Sequence, residues 1–456
     1  MPASLSKTPS GAGNQRTWTY SGWFKLCTTD QNVFLLSAGA YGDSKSMQFL
    51  VANSGNFLQF QGFSSGGSAD FNCETNAELR DIGAWYHIMV ACDTTQATDS
   101  NRAKIYINGE LQTLRTATYP SQNYDTGVNT TIAHEINDRP GASLEQPLYG
   151  SHIHMADGNA YAATVFGETD ATTGQWKIKT SPSVSYGTNG FFIMKDNGSG
   201  TDQSGQSNNW TANGTIINTQ DNPSNVFATG NPLYFTNTAW TTSLSNGNNT
   251  FTGHTGSNSY PLVASTIAAP ASGKFYAEFK VTSSSQNYYV GVATPEAVVG
   301  TAINAHYPNW DNEGGTNAHA YSYYGADGQK YVKTGGGATS ASAYGSASSQ
   351  NDILGVALDL DNNKLYIHKN GTYFDSGVPT SGSTGTGAIS VTNHDYLFFM
   401  SDGGGGSDAS GTANFGNGYF ATTAISSDGT NASNIGKFEY DVPAGYTALS
   451  TKGLNE

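Results

Sequence analysis

A chain of 456 residues can house two or three domains with sizeable cores, and its net charge of −15 leaves no basic stripe to neutralise phosphates. A nucleic-acid groove is therefore excluded, and an anionic membrane surface is disfavoured. Hydrophobic residues make up only 37%, but 12% aromatics and 55 glycines describe short strands broken by many turns, not a disordered chain.

From the N-terminus, Met1–Trp18 lacks a charged start followed by an apolar core, so it does not read as a signal peptide. No apolar run approaches membrane-spanning length. A first domain is expected over residues 1–166. In RTWTYSGWFKL, Trp18, Tyr20, Gly22 and Phe24 alternate with Thr17, Thr19, Ser21 and Trp23, the period of a strand. NVFLLSAG and SMQFLVANSGNFLQFQGF follow as strands, with Asn53-Ser54-Gly55 as a turn. Trp85–Cys92 is an apolar run, and Ala103, Ile105 and Ile107 alternate with Lys104, Tyr106 and Asn108 before an Asn108-Gly109 hairpin turn. TTIAHEI and GSHIHMADG close the domain, and GNAYAATVFGE (Gly158 to Glu168) predicts one short helix.

Residues 167–221 are too aromatic for a floppy tether and read as a rigid bridge. The second domain covers 222–456. NVFATGNPLYF and TTSLSNGNNTFTG lead it. Phe275, Ala277, Phe279 and Val281 alternate in one strand, and Leu354, Val356, Leu358 and Leu360 in another. Asp361-Asn362-Asn363 and Asn370-Gly371 turn the chain on either side of Leu365 and Ile367. GKFEYDV reads as a late strand, and the Gly/Ser/Ala-rich Thr334–Ser349 and Asp402–Gly411 as loops. The fold class is all-β: two antiparallel, jelly-roll-like β-sandwiches joined by an ordered β/loop bridge.

AWYHIMVACDTT…NRAKIYINGE (Ala84 to Glu110) resembles the central hairpin of concanavalin A-like, laminin G-like lectin domains. SGKFYAEFKVTSSSQNYYVGVAT (Ser272 to Thr294), with DLDNNKLYIHKNGTYFDSG (Asp359 to Gly377), resembles a SPRY-type sandwich. The pair in this order, ending in GKFEYDVPAGYTALSTKGL, resembles virion appendage proteins of tailed bacteriophages. That resemblance implies a non-enzymatic virion surface protein (decoration, appendage or fibre) that touches other virion proteins, copies of itself and host glycans. Such a protein is assembled in the host cytoplasm and exposed after lysis, which suits an extracellular-looking composition without an export signal. A secreted carbohydrate-binding lectin and a polysaccharide depolymerase are the alternatives.

No cofactor is expected. Calcium candidates are Asp359, Asp361 and Asn363, whose spacing is that of an oxygen-ligand loop lacking the closing Glu of an EF-hand, and Asp93, Asp99 and Asn101 flanking the first hairpin loop; an ordinary polar hairpin is the plainer reading of both. Glu168 and Asp170 are a paired-carboxylate candidate for hydrolysis, more readily read as turn caps. His152 and His154, two apart on a strand, would share a face as in a zinc site, with His134-Glu135 as the distant complement; two surface histidines are the plainer expectation. Cys27, Cys73 and Cys92 read as buried apolar residues, with a Cys73–Cys92 bridge as the alternative. His306, Tyr307 and Trp310, with Tyr321, Tyr323 and Tyr324, are candidates for a ligand or partner surface, with core or loop packing as the alternative.

Overall fold

The computed structural model describes residues 2–195, 199–234, 243–253, 262–299, 315–403 and 409–455. It divides into two compact units, one of residues 1–218 and 222–224 and the other of residues 219–221 and 225–456. Both are β-structures with mainly antiparallel pairing; in the second unit Thr447–Ala448 pairs in parallel with Lys274–Val281.

The first unit opens with β1 (Ser4–Lys7), β2 (Thr17–Leu26), β3 (Val33–Ala38), β4 (Met47–Val51), β5 (Phe57–Phe63) and β6 (Ala69–Glu78). The central hairpin is β7 (Trp85–Asp93) and β8 (Ala103–Ile107), followed by β9 (Glu110–Leu111), β10 (Leu114–Thr118), β11 (His134–Ile136) and β12 (Leu148–Asp157). Four short strands follow: β13 (Gly167–Thr169), β14 (Trp176–Ile178), β15 (Phe191–Ile193) and β16 (Thr211–Asn213). Among the described residues, one sheet runs β10-β6-β5-β4-β3-β11-β1-β16 and the other β15-β12-β2-β7-β8-β9. Trp18, Tyr20 and Phe24 of β2, Ile88 and Val90 of β7, and Ile105 of β8 meet Phe49, Phe60 and Phe71 of the larger sheet in one core. Asn108 (φ 48°) and Gly109 (φ 82°) make the hairpin turn with the left-handed backbone that such a turn needs.

Two expectations for this unit change, and the reading of the cysteines as buried apolar residues holds. Residues 167–218 are not a bridge but part of the first unit: Phe191–Ile193 pairs with β12, and Thr211–Asn213 pairs with β1. The helix expected over 158–168 is a single 3-10 turn, Ala163–Val165, before β13. Tyr161, Ala163, Val165 and Phe166 of this stretch pack against Met89 and Ala91 of the smaller sheet. All three cysteines are buried thiols, and none is in a disulfide. Burial pushes Cys73 up to about 12.

The second unit pairs a larger sheet, with Lys274–Val281 and Ile353–Asp359 at its centre, against a smaller one built on Tyr288–Ala293, Ala320–Tyr324 and Leu397–Asp402. Phe275, Ala277, Phe279, Leu354, Val356, Leu358, Leu365 and Ile367 all lie in its core, as the alternation predicts. The NVFATGNPLYF stretch makes isolated bridges, not a strand, at Phe227 and Gly230. Ser340–Ala343, within a stretch read as loop, pairs with Gln329–Lys333 as an edge strand. GKFEYDV is not a strand either. The backbone N–H groups of Glu439 and Tyr440 donate to the buried carboxylate of Glu278 (both 2.9 Å), so a side chain takes the place of a ladder partner.

Candidate binding face on the first unit

The outer face of the smaller sheet in the first unit is closed. Met89 and Ala91 of β7 and Tyr106 of β8 are covered by Tyr161, Ala163, Phe166, Trp176 and Val184. The Trp176 indole fits against Gly109 and Gly167, where an added Cβ would stand 2.5 Å from its ring. Beneath it, Trp176 Nε1 donates to His87 Nδ1 (3.1 Å), and His87 Nε2 lies 2.8 Å from Ser21 Oγ. Indole is a donor only, so Nδ1 accepts and Nε2 carries the proton. Burial holds His87 neutral, at about 3, so Nε2–H donates to Ser21. This buried Ser–His pair is therefore wired the wrong way to activate a nucleophile.

The outer face of the larger sheet is different. Gln48, Gln59, Gln61, Asn72 and Glu74 alternate with the inward Met47, Phe49, Leu58, Phe60, Phe71 and Cys73, and Leu50 is the apolar member of the outer rows. Pairing lines them up across the strands: Gln48–Gln61–Asn72–Thr118 in one row, and Leu50–Gln59–Glu74–Thr116 in the next. Gln59 Nε2 donates to Asn72 Oδ1 (3.1 Å) and Glu74 Oε1 (2.9 Å), and Asn72 Nδ2 donates to the same oxygen (2.9 Å). Thr116 Oγ1 donates to Glu74 Oε2 (2.7 Å), and Gln61 Nε2 to Gln48 Oε1 (3.3 Å). Gln59, Gln61, Asn72, Glu74 and Thr116 are half-buried, and Thr118 is exposed.

Aromatic residues bound this floor. Phe57 lies under the guanidinium of Arg115 (4.7 Å), and Phe63 under the ring of Tyr41 (5.1 Å, edge-on). Arg139 sits between Phe34 and Tyr41, 5.7 and 5.1 Å from their rings. Tyr41 is thus held in place while 55% of its surface stays exposed. An oriented aromatic ring beside a field of amide donors and acceptors is the equipment for ligands that carry both ring C–H faces and hydroxyls.

None of these residues was singled out from the sequence. The signal was present in Gln48, Gln59 and Gln61 alternating with Met47, Leu58 and Phe60, and in Asn72 and Glu74 alternating with Phe71 and Cys73. Only the strand register shows that they converge.

The residues that were singled out are placed elsewhere. Asp359 is fully buried and takes Lys274 Nζ (3.0 Å), Asn362 N (3.0 Å) and Asn362 Nδ2 (2.9 Å). Asp361 accepts from Gly273 N (2.8 Å), and Asn363 holds the turn at φ 56°. The protein's own donors thus engage both carboxylates. Asp93 likewise caps its loop through Thr95, Gln96 and Thr17. Glu168 and Asp170 are bridged by Lys177 Nζ (3.3 and 3.4 Å). Asp170 accepts from Thr172 N and Thr173 N, and these bonds hold it down at about 2. An acid catalyst would need the opposite shift.

The histidine pair is corrected: a register shift between Ser151 and His154, with His152 at φ 49°, breaks the alternation. His154 is a buried residue bonded to Tyr186 OH (2.9 Å), not a surface one. His134 is buried, with Nδ1 2.8 Å from Ile132 O. Among the described residues, no three His, Cys, Asp or Glu side chains are grouped to hold a metal. His306, Tyr307 and Trp310 lie outside the described residues. Tyr323 is corrected to a core residue stacked on Phe374 (4.8 Å), and Tyr321 is also in that core. Tyr324 is half-buried on the opposite face, stacked on Tyr289 (4.5 Å).

Residues 4–144, which include this face, match the family model of the concanavalin A-like lectin/glucanases superfamily, and residues 274–389 match that of the SPRY domain. Ran-binding protein 9 of Xenopus laevis is 32% identical over 110 residues, 24% of this chain and 18% of that protein. The chain thus spans less than a fifth of that relative's length. Among solved structures, the SPRY domain of human HERC1 is similar at 11% identity over 40% of this chain and 96% of that one (TM-score 0.29). A Bacteroides ovatus protein described as carbohydrate binding is similar at 17% identity over 46% and 56% (TM-score 0.30). By the two family matches alone, the chain carries a concanavalin A-like domain followed by a SPRY domain.

Proposed function

We propose that this chain is a non-enzymatic binding and display protein of the virion surface, and that its first unit contacts host glycans. The observation that carries the glycan reading is the floor of Gln59, Gln61, Asn72, Glu74 and Thr116 beside the exposed ring of Tyr41. Amides and hydroxyls exchange hydrogen bonds with sugar hydroxyls without a metal or cofactor. The virion assignment rests on the order of the two domains and on a composition suited to an extracellular particle. Other virion proteins and further copies of this chain are its proposed neighbours there. A secreted lectin would use the same face. Hydrolysis is not favoured, because Lys177 ion-pairs both acids, Glu168 and Asp170.

The test has two arms. The purified chain is applied to a glycan array, where retention on saccharide spots that Tyr41→Ala lowers at least fivefold is expected. Particles carrying a label on this chain are imaged, with label on the particle exterior expected. An array with no retained spots ends the glycan reading, and label absent from particles ends the virion reading in favour of a secreted lectin.

A further inference from the structure

We infer that the polar face takes an extended, neutral glycan laid across the strands, one sugar ring per strand, and not a single terminal sugar. This rests on the glycan-binding reading above and adds the ligand's length, direction and charge.

Direction follows from the register. The row Gln61–Asn72–Thr118 crosses β5, β6 and β10 at right angles to the chain, and Gln59–Glu74–Thr116 runs beside it. Neighbouring strands lie about 4.8 Å apart, roughly the advance of one ring in a linear saccharide. Each strand therefore offers an equivalent pair of polar side chains at each ring's step. Length follows from where the rows end. On one side Gln48 and Leu50 are buried (both 3% exposed), and Arg139 covers Phe34, the neighbour of Leu50 on β3. On the other side Thr118 is exposed on β10, the edge strand. Three strands remain accessible, with Tyr41 beside their buried end as a stacking platform.

Charge follows from pairing. Glu74 lies 4.0 Å from Arg115 Nε and is further bound by Gln59, Asn72 and Thr116, so the floor's carboxylate is already balanced. What faces outward is amide and hydroxyl. A uronate or sialate would meet the Glu74 carboxylate on this floor, with Arg115 already facing that group, and would approach a chain of net charge −15.

The experiment is a length series. Linear neutral gluco- and manno-oligosaccharides of two to six units, and oligogalacturonides of the same lengths, are printed and probed with the whole chain and with the double variant Gln61→Ala/Asn72→Ala. The variant's fold is checked by its melting curve. Retention of neutral oligomers is expected to rise at least tenfold between two and four units and then level off. The double variant should lose about tenfold on the longer oligomers. The inference is overturned, with the glycan reading intact, if two-unit and six-unit oligomers are retained equally, if the galacturonides are preferred, or if the folded double variant binds like the parent. If the folded parent retains no saccharide of any length, the glycan reading itself falls.

Discussion

Burial keeps several histidines neutral, and each one ties stability to pH. His87 is held down to about 3, His134 to about 4 and His368 to about 3, all by desolvation first. In the unfolded chain these groups titrate at about 6.5. Between that value and the folded values the unfolded state binds more protons, so stability falls as pH falls from about 6.5 towards 4. Each fully buried histidine contributes up to about 1.4 kcal/mol per pH unit in that window. Glu278 works the other way. Burial raises it to about 7, so its contribution is present below its unfolded value near 4.5 and is lost as pH rises through 7. Four donors converge on Glu278: Tyr276 OH, Asn414 Nδ2, Glu439 N and Tyr440 N. They oppose the desolvation and explain why a carboxylate stands in this core at all. The prediction for this scale concerns His87. Urea unfolding of the first unit between pH 4 and 7 should show a shallower acid slope for His87→Gln than for the parent. Parallel curves would mean that His87 is not held neutral.

At the scale of the element, the Asn108-Gly109 turn does two jobs. The alternation before it and the dipeptide itself make the hairpin legible in the sequence. The second job was not legible: Gly109 also leaves room for Trp176, which arrives from 67 positions downstream and closes the smaller sheet. Gly109→Ala should therefore destabilise by about 2–3 kcal/mol, through left-handed strain plus displacement of the indole. Gly66→Ala, at φ 91° with open space around it, should cost only about 1 kcal/mol from strain. Chemical denaturation of both variants checks this, and equal losses would remove the role assigned to Trp176. The same distinction explains GKFEYDV. Phe438 and Val442 are buried as the alternation implies, but the backbone between them bonds to Glu278 and not to a neighbouring strand. Periodicity reports which side chains go inward. It does not report what satisfies the backbone.

At the scale of the molecule, each unit has its own core, one built on Trp18, Phe60 and Ile105 and the other on Phe279, Leu354 and Phe398. Ile105→Ala and Leu354→Ala should each cost about 2–5 kcal/mol. In scanning calorimetry each should lower the transition of its own unit and leave the other in place. A single transition shifted by both variants would show that the two units unfold together.

Fold class and the central hairpins were written locally, because side chains that alternate in polarity must alternate in burial; the order of the two sandwiches came from a resemblance. The binding face was not written locally. Gln59, Asn72 and Glu74 are unremarkable polar residues in the chain, and they become a floor only when β4, β5, β6 and β10 pair in one register. Other strand pairings sent Tyr323 into the core and His154 beneath Tyr186, and drew residues 167–218 into the first unit. Local alternation depends on neighbours two positions apart. Register and cover depend on residues tens of positions away, whose contacts exist only once the sheets have formed.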